Sequence, residues 1–99
     1  MAQLIVVRWR DIPAQVIVKA GRTTARRQLS ERFEKAIDMC AMRVGAKDED
    51  AYLAEWRRGD PVEVDGDLEA AADRAARELE TTYTDERLKS LIDSAGFEA

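Results

Sequence analysis

Apolar residues dominate the stretch from Gln3 to Trp9, which is rich in β-branched side chains and ends in an aromatic, so it predicts a strand. One face would carry Ile5, Val7 and Trp9, the other Leu4, Val6 and Arg8. Asp11-Ile12-Pro13 interrupts it, since proline donates no ladder hydrogen bond and biases the residue before it away from helix. Gln15 to Lys19 alternates again and predicts a second strand folding back as a hairpin, ended by Ala20-Gly21. From about Thr24 to Val44 the period becomes helical, with Leu29, Phe33, Ile37, Cys40 and Val44 on one face and Gly45 as the stop. Met39 and Met42 fall off that stripe. Arg26 would fall on it, which leaves two readings: a first turn that overhangs the core, or a helix starting nearer Gln28.

Asp48-Glu49-Asp50 opens a second helix with carboxylates at its positive end; Tyr52, Leu53 and Trp56 form its apolar side, and Arg57-Arg58 before Gly59 complete its end. Pro61 to Val64 predicts a short third strand at a sheet edge. Asp67 caps a third helix along Leu68, Ala72, Ala75 and Leu79, and Thr84 a fourth carrying Leu88, Leu91 and Ile92 and ending at Gly96. The order ββααβαα predicts one α+β domain over residues 1–99: a three-stranded, mainly antiparallel sheet packed against about four short helices.

Composition then removes whole classes of chemistry. The chain has 99 residues, no histidine and one cysteine, so imidazole-based triads, Cys/His zinc sites and an internal disulfide are excluded together. No apolar run approaches the roughly 20 residues of a membrane helix. The run Leu4 to Val7 is followed at once by Arg8, Trp9, Arg10 and Asp11, unlike a secretory signal, so the expected location is the cytoplasm. Net charge is −4 but unevenly spread: residues 1–46 hold nine Lys/Arg against four Asp/Glu, and residues 47–99 hold seven against sixteen.

Candidate chemistry is sparse. Asp60, Glu63, Asp65 and Asp67 cluster, but around a turn and a helix cap, without the burial or tight pairing that makes a carboxylate work near neutrality. No window has both the Gly and the Glu of a calcium loop. The glycines are isolated and cradle no phosphate. Cys40 sits on the core stripe, so neither a catalytic residue nor a metal or cofactor site is expected. The basic first 35 residues with Trp9 raise nucleic-acid binding as an alternative, opposed by the acidic second half. Protein binding leads. Trp9 and Arg10 stand beside Pro13, and Trp56 beside Arg57, Arg58 and Asp60; tryptophan and arginine are the types enriched at interface hot spots. Leu4, Val6 and Ile17 are a further candidate, an apolar sheet face through which the chain would self-associate.

At Trp9 to Val16, and again from Tyr52 to Pro61, the chain resembles the small bacterial "virulence factor" domain family over roughly residues 3 to 80. Members stand alone in alphaproteobacteria or are joined to a NifU-like domain and HEAT-type repeats in some Firmicutes. The resemblance implies an accessory or adaptor role, linked to corrinoid-dependent one-carbon metabolism or to Fe–S scaffold proteins. A cofactor-dependent accessory subunit of an enzyme is the alternative it leaves open.

Overall fold

The computed structural model describes residues 2–45 and 48–97. Five strands form one antiparallel sheet. β1 (Ala2–Trp9) and β2 (Ile12–Ala20) make the predicted hairpin, and β3 (Thr23–Gln28) extends it beyond β2. The other edge of β1 is shared by two short strands: β4 (Trp56–Arg58) lies beside Val7–Trp9 and β5 (Val62–Val64) beside Ala2–Leu4. The helices are α1 (Glu31–Arg43), α2 (Glu49–Ala54), α3 (Leu68–Thr82) and α4 (Asp85–Asp93).

The α+β class, the antiparallel sheet and the four helices match the expectation, while the sheet has two strands more than the three predicted. β3 lies where a helix was expected to begin. Its residues are polar, so it shows little strand composition, yet it alternates in burial: Ala25 faces α3 while Thr24, Arg26 and Gln28 are exposed. Arg26 is therefore a strand residue, and α1 starts at Glu31 behind Ser30. Ser30 does not cap its own helix. Its backbone N–H and hydroxyl both donate to the Glu80 carboxylate on α3, at 2.7 Å each. Similarly, α2 stops at Ala54 because Trp56, Arg57 and Arg58 are taken up by the ladder with β1.

Other boundaries lie where the chain places them. Asp48, Asp67 and Thr84 each accept a hydrogen bond from a first-turn N–H. Gly96, at φ +88, closes the chain after α4 by donating its N–H to the Leu91 carbonyl at 2.7 Å. The register shifts between Val7 and Arg8, where the ladder passes from Gln15 to Pro13, so proline sits at a bulge and breaks no regular ladder bond.

The core has two parts. Val16, Val18 and Ala25 pack against Ala71, Ala72 and Ala75 of α3, with Leu4 and Val6 half-buried at the margin. Trp9 and Ile12 pack with Phe33, Ile37 and Cys40 of α1 and Leu88, Leu91 and Ile92 of α4. The predicted α1 stripe is thus inside. The expected apolar face of Leu4, Val6 and Ile17 does not exist: Leu4 pairs with Val18 and Val6 with Val16 toward α3, whereas Ile17 pairs with Ile5 on the opposite side. Strand alternation separates them, and Ile17 is fully buried.

Candidate functional site

The tryptophans of the two pairs meet across one ladder, Trp9 opposite Trp56, with Arg8 rather than Arg10 opposite Arg57. They have different fates. Trp9 has no exposed surface, and its indole N–H donates to the Tyr52 carbonyl at 2.9 Å. Pro13 is also fully buried. Neither presents a side chain to a partner, which corrects their assignment as contact residues: both plug the space between hairpin and helices.

Arg10 holds the fold together. It takes φ +55 at the hairpin turn, donates from Nη1 to the Ala95 carbonyl at 2.6 Å, and places Nε 3.3 Å from the Glu55 carboxylate. Its guanidinium lies between the rings of Trp9 and Phe97, 5.3 Å and 4.8 Å from their centroids.

Trp56, Arg57, Arg58 and Asp60 do come together at the surface. Trp56 is partly exposed, its ring edge-on to Tyr52 at 6.0 Å, and Tyr52 stacks in turn on Trp9 at 5.8 Å. Burial pushes the Tyr52 phenol above its ordinary range, with help from Asp38 and Glu34. Two shallow concavities adjoin there. One, of about 360 Å³, is lined by Val7, Gln15, Trp56, Arg57 and Arg58; the other, of about 260 Å³, by Arg8, Arg10, Asp11, Arg57, Arg58, Gly59 and Asp60. Gly59 lies close to β1, where a Cβ would stand a tight 3.2 Å from the Val6 carbonyl oxygen. Val7, Gln15 and Arg8 join this site only through the β1–β4 pairing, which is invisible in a sequence where Arg57 and Arg58 read as a helix end.

A second surface lies between α1 and α4. Met39 and Met42 are 51% and 73% exposed. Met39 lines a groove of about 380 Å³ floored by Ala36, Leu88 and Ile92, which continues past Met42. Charges rim it: Arg43 bonds Asp93 at 2.7 Å and Arg32 approaches Asp85 at 3.2 Å, while Lys89 makes no ion pair among the described residues.

Residues of the candidate chemistry are placed elsewhere. Cys40 is fully buried beneath α4, and burial raises its thiol pKa against the opposing pull of Arg10 and Arg43. A thiol so placed stays protonated and inert. Asp60, Glu63, Asp65 and Asp67 are exposed, Asp67 being occupied as a cap. Among the described residues no group of three or more Cys, Asp or Glu is arranged to hold a metal ion, and no helix is long and apolar enough to cross a membrane.

A family model described as virulence factor matches residues 7–92. The chain belongs to the virulence factor family. The match runs from the second half of β1 to the end of α4, so this virulence factor domain includes both surfaces. No curated protein and no solved structure matches it.

Proposed function

We propose that this domain is a non-catalytic accessory module that docks another protein, with the α1–α4 groove as the seat for an amphipathic helix of the partner. The observation that carries the reading is the exposure of Met39 and Met42 over an apolar floor of Ala36, Leu88 and Ile92. Methionine is unbranched and polarizable, so it conforms to an incoming helix, and exposed apolar grooves rimmed by charge are a recurrent mode of helix recognition. Lys35 and Lys89 on the rim suit a partner helix with flanking carboxylates. A role beside corrinoid-dependent methyl transfer or Fe–S scaffold proteins, in the cytoplasm, is part of the same proposal and names the first partners to try.

The cofactor-dependent enzyme reading is less favoured, because the thiol is buried and the carboxylate cluster faces solvent around a turn.

A photo-reactive residue at position 42, used in the native host, tests the proposal. The parent should capture one partner, a synthetic helix from that partner should bind the purified domain, and Met39→Glu with Met42→Glu should abolish both while the far-ultraviolet spectrum is kept. Unchanged binding in the double variant overturns it.

A further inference from the structure

The sheet has two unlike sides. α3 lies across β2 and β3 on one of them, and α1 meets β2 only toward its Ile12 end. Ladder register assigns Ile5, Val7, Ile17, Arg26 and Arg58 to the other side, because Ile5 pairs with Ile17, Ile17 with Arg26, and Val7 with Arg58. Ile5 and Ile17 belong to neither helical core although both are buried.

Many of the cations among the helices are paired: Arg27 is clasped by Glu69 and Asp73 on the α3 side of the sheet, while Arg32 is held by Glu80 and Asp85 and Arg43 by Asp93 along α1. Arg26, Arg58 and Lys19 make no ion pair among the described residues, and neither does Arg8 at the adjoining edge. Arg58 on β4, Arg26 on β3 and Lys19 on β2 span three strand intervals, about 14 Å, and the same register sets Glu63 of β5 at the far margin of this face, opposite Gln3. At one end of it Trp56 borders the concavity with Val7 and Gln15.

We propose that this open sheet face, from Trp56 across Arg58, Arg26 and Lys19, binds a single-stranded nucleic acid. A partly exposed aromatic edge beside unpaired cations is the combination that single strands use: bases stack on the ring and the backbone follows the charge. An acidic peptide would satisfy the cations but leave the stacking surface idle. A duplex would not offer unstacked bases to Trp56. The direction is set as well. Beyond Trp56 the next concavity is lined by Glu34 and Asp38, which repel phosphate, so the strand leads away from α1 and over the sheet.

The probe is a fluorescent oligothymidylate of about ten nucleotides, titrated with the full chain at low salt, with polyglutamate and a duplex of the same length as competitors. Binding should weaken with salt at a logarithmic slope of about −2 to −3 if three or four phosphates are contacted. Trp56→Ala should cost roughly tenfold or more in affinity. Arg26→Glu with Arg58→Glu should abolish binding, whereas Arg77→Glu on α3 and Met42→Glu in the α1–α4 groove should leave it unchanged. That last comparison separates this site from the proposed protein groove. No binding at low salt, equal displacement by polyglutamate or duplex, or an unaltered affinity in the Arg26/Arg58 variant would each overturn the proposal.

Discussion

Trp9-Arg10 and Trp56-Arg57 look interchangeable in the sequence, and the fold even sets the two tryptophans opposite one another. One pair is locked in and the other left open. The cause lies in the chain segments that reach each arginine. Arg10 turns the hairpin and is met there by Glu55, Ala95 and Phe97, the ring 4.8 Å away, while Arg57 stays exposed on a short edge strand with a distant ion pair to Asp11 at 4.0 Å and the Phe97 ring at 6.0 Å. A tryptophan–arginine doublet is therefore no signature of an interface; its meaning depends on whether later segments fold over it.

The largest difference should come from the rings. Trp9→Ala should cost about 3–5 kcal/mol by opening the core, and Trp56→Ala about 1 kcal/mol through lost edge contact with Tyr52. Urea unfolding of the two variants measures both, and equal losses would erase the distinction. Next come two glycines of positive φ, one against Arg10 and one, after α1, in open space. Gly96→Ala should cost about 1–3 kcal/mol, because φ is +88 and the new Cβ would lie 3.0 Å from Arg10 Cδ and 3.1 Å from Cys40 Sγ. Gly45→Ala, at φ +77 with nothing within 4 Å, should show only the backbone part, about 1 kcal/mol. Thermal denaturation of the pair tells whether the latch on Arg10 is as tight as its geometry.

Smaller still, Arg10→Ala should cost about 1–2 kcal/mol from its partly buried contacts, against about 0.5 kcal/mol or less for Arg57→Ala. Similar values for the two arginines would contradict the division into held and free cations. The smallest effect is electrostatic. Burial alone would raise the Glu80 carboxyl, but its hydrogen bonds from Ser30 and the Arg32 guanidinium outweigh that and hold it below the ordinary range. A depressed pKa means stability present above the unfolded-state value and lost as pH falls through the folded one. Parent protein should therefore lose stability on acidification more than Glu80→Gln does, as read from urea midpoints across the acidic range.

Helix caps at Asp48, Asp67 and Thr84 and the Leu29–Val44 stripe were legible because capping and period are local properties of the chain. β3 was hidden since Arg26, Arg27 and Gln28 carry no strand composition; only pairing with β2 and the cover of α3 make it a strand. β4 was hidden for the same reason, as Trp56–Arg58 extends the pattern of α2 until β1 claims it. The candidate site suffered most: Trp9, Pro13 and Arg10 became structure, while Val7, Gln15 and Arg8 entered only through ladders between distant segments. The place of Met39 and Met42 off the helical stripe was legible, but their exposure was not, because it depends on which distant segments pack along α1, and the self-association face of Leu4, Val6 and Ile17 failed on register.

The contact of Arg10 with the Ala95 carbonyl, joined by the Asp11 N–H donating to Gly96 at 2.8 Å, spans 85 positions. On a ribosome adding about 5–20 residues per second, the hairpin turn must wait several seconds or more before its far partner is made. During that interval Trp9 has no α4 beside it, so the nascent hairpin is the segment most in need of chaperone shelter while translation runs.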